Sequence, residues 1–128
     1  YDEGIVLGTD GLVSEGSGEN IFVIRGGTVY TPASHHAILS GITRDTAITL
    51  ARDAGIIVEE RGIPREFLYI ADEVFFTGTA AEITPICQID KIKIGLGERG
   101  PVTEKLQQLF FDILYAKVED RYNWLSFI

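Results

Sequence analysis

The stretch VSEGSGENIF, residues 13–22, places a carboxylate, Glu15, in a glycine-rich bend between two apolar runs. Glycines accept the positive φ angles that tight bends require, and the flanking apolar runs predict two strands. The backbone, and not the packing of a core, therefore sets the position of Glu15. Such a carboxylate either caps nearby backbone N–H groups or serves a ligand. The choice between these roles depends on the rest of the chain.

Strand and turn signals alternate on both sides of this bend. Asp-Gly and Gly-Gly pairs between β-branched or aromatic runs are typical of hairpins, so the first third of the chain is predicted to be antiparallel sheet. Predicted strands are 4–7, 12–14, 21–24, 28–30, 56–60, 73–77, 83–89 and 91–94, with Asp90 in the last turn. Helical apolar spacing predicts a helix over 43–54, and Pro64 and Pro101 are each expected at the first position of a further helix. We expect one α/β (α+β) domain with a mixed, largely antiparallel sheet.

The composition is that of a globular domain. The 128 residues are 45% hydrophobic and 23% charged, which is enough chain for one core. The net charge of -8 argues against nucleic-acid binding and against an anionic membrane surface, because either needs clustered Lys and Arg. No apolar run approaches the roughly 20 residues that cross a bilayer. A single cysteine requires no oxidising compartment, so we expect a cytoplasmic location.

Three other motifs are better explained without a ligand. The segment GLGERG, residues 95–100, matches a dinucleotide fingerprint, but the predicted helix starts at Pro101, after the last glycine instead of within the motif. His35 and His36 are adjacent and lack further ligands at metal-binding spacing, so we expect a solvated pair and no metal site. Cys87 lies in an apolar strand pattern and is predicted to be a small buried side chain, not a nucleophile.

Two further segments offer donors for an anion. In GITRD, residues 41–45, a glycine lets a ligand approach the start of a helix, where free N–H groups and the positive end of the dipole favour a phosphate or carboxylate. In FFTGTAAE, residues 75–82, a strand ends in small residues and hydroxyls that expose further N–H groups. Together with Glu15, these segments suit a ligand that has a basic ring and a phosphate.

The segments VSEGSGENIF, LSGITRD (residues 39–45) and ADEVFFTGTAAEITP (residues 71–85) resemble the C-terminal domain of branched-chain amino acid aminotransferases, which are fold-type IV pyridoxal 5'-phosphate enzymes. The likeness covers about residues 3–125 in one order. It implies the large C-terminal domain of the D-amino acid aminotransferase-like fold, a pseudo-barrel flanked by helices. It also implies a homodimer or higher oligomer that acts on branched-chain amino acids and 2-oxo acids.

The resemblance also implies a role for individual residues. Glu15 would hydrogen-bond the pyridine nitrogen of the cofactor, and a protonated ring is the electron sink of this chemistry. The cofactor phosphate would be held at the start of the helix and by Thr79, and Glu19 would support the site from behind. The residues at the start of the helix that would hold the phosphate are Gly41, Ile42 and Thr43. Leu39 would pack on the ring face, and Gly78, Thr79 and Ala80 would bind the substrate carboxylate. Ser40 replaces a proline that is frequent in the family beside the phosphate loop.

The lysine that forms the Schiff base in this family lies upstream of the point where this chain begins. The four lysines present, Lys91, Lys93, Lys105 and Lys117, are all predicted to be solvated, so no catalytic residue is assigned here. The chain opens on Tyr1 and contains no Met, so we expect a fragment or processed piece that lacks an N-terminal domain and is inactive alone. The residues 122–128 and the apolar face of the last helix are expected to meet that missing domain.

Alternatives remain open at this point. Within the same fold, the parent enzyme would be a D-amino acid aminotransferase or an aminodeoxychorismate lyase instead of an enzyme that transfers the amino group of Leu, Ile or Val to 2-oxoglutarate. In a different functional class, the chain would be a non-catalytic module that binds an anion or a partner protein.

Overall fold

The computed structural model describes residues 2–33 and 41–125. In these ranges the chain forms nine strands and three helices. The strands are β1 Ile5–Leu7, β2 Val13–Gly16, β3 Asn20–Arg25, β4 Thr28–Thr31, β5 Val58–Glu60, β6 Glu73–Gly78, β7 Glu82–Ile86, β8 Gln88–Ile89 and β9 Ile92–Lys93, and the helices are α1 Ile42–Asp53, α2 Arg65–Tyr69 and α3 Pro101–Leu114.

The central sheet has five strands in the order β5-β4-β3-β6-β7. β4 and β5 are parallel, and the other neighbouring pairs are antiparallel. β1 with β2 and β8 with β9 form two separate antiparallel ribbons. The mixed, largely antiparallel sheet is therefore confirmed. The described strands do not form the pseudo-barrel, because β5 and β7 are the two outermost strands of an open sheet and do not pair with each other.

Strand β3 lies at the centre of the domain and is buried on both faces. Residues 21–24 are each at most 1% exposed. Phe22 and Ile24 pack on one side in a cluster with residues of α1 and α3, whereas Ile21 and Val23 pack on the other side with residues of α2. Successive side chains of a strand point to opposite faces, so this one strand supplies both cores. Phe22 also stacks on Phe75 of the neighbouring strand, with ring centroids 4.8 Å apart.

Helix α3 packs on this domain's own core. Leu106 is 0% exposed and Ile113 is buried, and Leu109 and Phe110 pack against the same cluster. The helix face that the sequence predicts to meet a missing domain packs within this domain on α1, β6 and β7, whereas Leu114 at its end is 39% exposed. The described part of the C-terminal tail, residues 122–125, also packs within the domain, since Tyr122 and Leu125 contact the same cluster. Residues 126–128 lie outside the described ranges.

Three local predictions need correction. The predicted strand 83–89 is interrupted at Cys87, because β7 pairs with β6 whereas β8 pairs with β9. Cys87 is exposed at this break and is not the buried side chain that the apolar pattern predicted. Pro64 is not the first residue of α2 but its N-cap, with an extended backbone at φ −64 and ψ 148. Among the described helices, none has both the length and the apolar character needed to cross a membrane.

Candidate functional site

The candidate ligand carboxylate, Glu15, lies near the end of β2 and is half-buried. It is paired with Val6 of β1, so it belongs to the strand and the bend itself is Ser17–Glu19. The side-chain amide of Asn20, the first residue of β3, donates a hydrogen bond to Glu15 Oε2 at 3.4 Å. Strand pairing and this contact fix the carboxylate beside the start of β3.

Helix α1 begins next to the same asparagine. A Cβ built on Gly41 would lie 2.4 Å from Asn20 Oδ1, so only a glycine fits between them. The backbone of Gly41 is extended, with φ −102 and ψ 139, and the requirement is therefore close approach and not an unusual φ angle. Gly41, the N-cap residue, has no side chain of its own with which to cap the helix. The geometry of a helix leaves the N–H groups of its first turn without intrahelical partners, and these groups favour an anion.

The end of β6 meets the glycine-rich bend from the other side. A Cβ on Gly78 would lie 3.2 Å from Glu19 Cγ and 3.3 Å from the carbonyl oxygen of Gly18. Thr77 is paired with Asn20, and the turn that follows β6 carries Thr79 and Ala80, which are both exposed. The structure therefore brings together the three segments that the sequence pointed to.

One edge of the central sheet explains this meeting. β3 runs antiparallel to both β4 and β6, and β5 runs parallel to β4. The start of β3 and the ends of β4, β5 and β6 therefore lie together at one end of the sheet, and this end forms that edge. Asn20, Thr31, Glu60 and Gly78 are the residues at that edge.

Glu19 packs within the bend that carries Glu15. Its Oε2 accepts a hydrogen bond from the N–H of Gly18 at 3.3 Å and would lie 2.8 Å from a Cβ on Gly16. Nearby, the hydroxyl of Ser17 donates to the carboxylate of Glu3. This bond and that from the N–H of Gly4 hold the pKa of Glu3 below its usual value. Glu19 thus contacts its own bend and lies directly against Gly78.

From the sequence, three polar residues near this edge received no individual role. Asn20 was passed over, although it contacts both Glu15 and the start of α1. The Thr77 hydroxyl is buried and has no hydrogen-bond partner among the described residues. Arg44 is buried in the first turn of α1 and donates to Glu60 Oε1 at 2.8 Å. The contacts of Asn20 and Arg44 join positions far apart in sequence, so the only local signal was their polar character inside GENIF and GITRD.

The start of α3, which follows the glycine motif at residues 95–100, is already capped by a carboxylate of this chain. The buried carboxylate of Glu73 accepts hydrogen bonds from the backbone N–H groups of Val102 at 3.2 Å and Thr103 at 2.8 Å. A Cβ on Gly100 would lie 2.2 Å from Glu73 Cδ. The last glycine of residues 95–100 therefore makes room for a capping carboxylate, and the start of α3 offers no place for a pyrophosphate.

The remaining candidates are placed as follows. All four lysines are exposed, as the sequence predicted. Leu39, Ser40, His35 and His36 lie outside the described ranges. Within residues 2–33 and 41–125, no group of His, Cys, Asp and Glu has the arrangement of a metal site.

Two clefts of the domain do not coincide with the candidate site. One, of about 360 Å³, lies between α1, α3 and the segment 118–122. The other, of about 930 Å³, lies between residues 2–7, α2 and residues 84–90. Neither cleft is lined by Glu15, Thr43 or Thr79.

Comparison with known proteins identifies relatives of this domain. Residues 1–89 match the family described as amino-transferase class IV. The chain is 53% identical over 127 residues to the branched-chain-amino-acid aminotransferase of Pseudomonas aeruginosa, covering 99% of this chain and 41% of that protein. It is 50% identical over 126 residues to the enzyme of that name from Salmonella typhimurium, covering 98% of this chain and 41% of the relative. The chain thus spans about two fifths of the length of these relatives.

Solved structures agree with this assignment. The branched-chain amino acid aminotransferase of Escherichia coli superposes with a TM-score of 0.97 at 49% identity, covering 99% of this chain and 42% of that one. The branched-chain amino acid aminotransferase from Thermobaculum terrenum, solved in its PLP-form, superposes with a TM-score of 0.95 at 42% identity, covering 98% of this chain and 41% of that one. The family match over residues 1–89, supported by these similarities in sequence and fold, leads to one conclusion: this chain belongs to the class IV aminotransferases.

Proposed function

We propose that this chain is the pyridoxal 5'-phosphate-binding domain of a longer branched-chain amino acid aminotransferase. The observation that carries the proposal is the meeting of Glu15, the start of α1 and the end of β6 at one edge of the sheet. A carboxylate and two groups of backbone donors suit a ligand that has a pyridine nitrogen and a phosphate. The proteins that are similar over nearly the whole chain carry the name of this enzyme.

In the proposed role, Glu15 binds the ring nitrogen of the cofactor. Its negative charge holds a proton on that nitrogen, because an opposite charge nearby favours the protonated form. The cofactor supplies an electron sink for the bond-breaking step at the substrate's α-carbon. Asn20 donates to the Glu15 carboxylate and so limits the directions that the carboxylate can take.

The phosphate site in this proposal is the first turn of α1. The helix has 12 residues and its N-cap is a glycine, so we expect its first N–H groups and its dipole to bind a dianion. Gly41, Ile42 and Thr43 supply the close backbone approach, and Thr79 supplies a hydroxyl from the turn after β6. We place Leu39 on the ring face, in agreement with the family resemblance.

The turn after β6 would bind the substrate carboxylate. Gly78, Thr79 and Ala80 follow one another where the strand ends, and the last two are exposed. Consecutive N–H groups in a turn form a concave donor set for an anion. Glu19 packs against Gly78 and holds this turn close to the bend that carries Glu15.

The lysine needed for covalent chemistry is proposed to lie in the longer polypeptide. All four lysines of this chain are exposed, and the chain spans 41% of the relative from Pseudomonas aeruginosa. We therefore propose an N-terminal domain that supplies the lysine, a homo-oligomeric and cytoplasmic enzyme, and substrates that are Leu, Ile or Val with 2-oxoglutarate. The 128-residue chain alone is expected to be inactive.

A transamination assay tests this function. The full-length polypeptide is incubated with leucine, 2-oxoglutarate and pyridoxal 5'-phosphate, and glutamate is measured. Glutamate formation is the expected result, and its absence overturns the proposed reaction. Parallel reactions with D-alanine and with aminodeoxychorismate distinguish the two related enzymes. A full-length protein that is inactive in all three reactions would support a non-catalytic module.

A further inference from the structure

Arg44 is a buried cation at the start of α1. It comes after Ile42 and Thr43 in the sequence. Ile42 is 88% exposed, whereas Arg44 is only 5% exposed. Removing a guanidinium from water is strongly unfavourable unless partners compensate for the lost hydration. A buried arginine one residue after the proposed phosphate contacts is therefore a feature that needs an explanation.

The partners of Arg44 come from three parts of the chain. Nη2 donates to the carbonyl oxygen of Pro32 at 3.1 Å and to Glu60 Oε1 at 2.8 Å. Nη1 lies 3.3 Å from Asp45 Oδ1. Pro32 directly follows β4, and Glu60 is the last residue of β5. Nη2 makes both bonds to the strand ends, so the far end of the guanidinium ties the first turn of α1 to two strands.

Asn20 lies against the start of the same turn. Its amide oxygen leaves no room for a side chain at Gly41. The first turn of α1 therefore contacts the start of β3 through Asn20 and the ends of β4 and β5 through Arg44. N–H groups bind an anion well only when they are already aimed at it, so the orientation of this turn has a direct effect on phosphate affinity.

We propose that Arg44 is a positioning residue for the phosphate, acting through the orientation of the α1 N–H groups and not through contact with the cofactor. This inference rests on the proposed function. It requires the reach of the guanidinium and not only its charge, because Nη2 lies farther from the backbone than a lysine ammonium can extend, and Nη2 makes the bonds to both Pro32 and Glu60. Arg44 should therefore affect the binding of the phosphate part of the cofactor and leave the binding of the ring largely unchanged.

The test compares pyridoxal 5'-phosphate with pyridoxal, which lacks the phosphate. Affinities of the full-length polypeptide for both are measured by fluorescence titration in wild type, Arg44→Met and Arg44→Lys. We expect both variants to bind pyridoxal 5'-phosphate about tenfold more weakly and pyridoxal within about twofold of wild type. Rescue by Arg44→Lys would overturn the proposal, since charge alone would then suffice.

Arg52→Met is the matched control. Arg52 reaches the same Glu60 carboxylate at 3.5 Å but lies in the last turn of α1. Both affinities of this variant should stay within about twofold of wild type, because the phosphate end of the helix keeps its partners. An equal change in Arg52→Met would contradict a role specific to Arg44.

Glu60→Gln keeps the test decisive if Arg44→Met does not fold. Glu60 is partly exposed, so the variant keeps the surface but loses the ion pair with Arg44. It should weaken only pyridoxal 5'-phosphate binding, by about threefold. Unchanged affinity in both variants, or an equal loss for both ligands, would refute the positioning role. Wild-type protein that binds neither ligand would instead refute the proposed function, and the inference with it.

Discussion

The amide oxygen of Asn20 fills the space that a side chain at residue 41 would need. A Cβ on Gly41 would lie 2.4 Å from Asn20 Oδ1, and the same asparagine contacts Glu15 Oε2 at 3.4 Å through its nitrogen. One side chain thus touches both the proposed partner of the ring nitrogen and the proposed phosphate site. The distance between these two sites depends on Asn20 keeping its position.

Gly41→Ala should disturb this arrangement. The new methyl group would push the Asn20 amide away and cost about 1–3 kcal/mol, as overpacking in a closed site usually does. Urea unfolding of the chain measures the loss. Gly4→Ala is the control, because a Cβ there meets nothing within 4 Å. In an Asn20→Ala background the cost of Gly41→Ala should fall, and equal costs in both backgrounds would contradict the proposed contact.

Glu15→Gln should slow the proposed reaction while leaving the fold intact. A neutral amide does not hold a proton on the ring nitrogen, so we expect the half-reaction with leucine in the full-length polypeptide to slow by about a hundredfold. Stopped-flow absorbance measures the rate, and circular dichroism checks the fold. Wild-type rates in this variant would refute the role assigned to Glu15.

Glu73→Ala should destabilise the domain although Glu73 lies at the other end of β6 from the site. The change leaves the N–H groups of Val102 and Thr103 without their acceptor and should cost about 2 kcal/mol in the free energy of unfolding. Glu104→Ala is the matched control from the same helix turn. Its exposed carboxylate only pairs with Arg99 at 3.2 Å, so its loss should cost less than about 1 kcal/mol. Similar losses in the two variants would argue against a capping role for Glu73.

The ion pair of Glu60 predicts a pH dependence. The hydrogen bond from Arg44 holds the pKa of Glu60 below its ordinary value of 4.5 in the folded chain. A lowered carboxylate pKa stabilises the fold above pH 4.5, and this contribution disappears as the pH falls through the folded value. The difference in unfolding free energy between wild type and Glu60→Gln should therefore be constant near neutral pH and shrink in acid. A difference that grows in acid would have the wrong sign.

Local patterns predicted much of this fold. The β-branched and aromatic run at residues 21–24, bounded by turn signals, predicted a strand, and the helical spacing of Ala47, Leu50 and Ala51 predicted a helix; the structure contains both. The sequence also pointed to the segments around Glu15, Gly41 and Gly78, which lie close together in the structure, because glycines beside polar residues mark places where the backbone is approached closely.

Long-range contacts set the features that were missed. Glu73 caps a helix 30 residues later, and Arg44 pairs with a carboxylate 16 residues later, so neither role leaves a local pattern. Cys87 was predicted to be buried because its neighbours are apolar. An apolar run does not show where the pairing changes from β6 to β9, and that change is what exposes the cysteine.

The single parallel pair of strands, β4 and β5, has a topological consequence. Two parallel neighbours require a crossover that carries the chain from one end of the sheet back to the other, and α1 makes that return. A hairpin between them would have left no helix terminus at the edge where Asn20 and Gly78 lie. One β-α-β unit inside a mostly antiparallel sheet thus gives this domain the strand-to-helix junction that doubly wound nucleotide-binding proteins use for phosphates, without their parallel architecture.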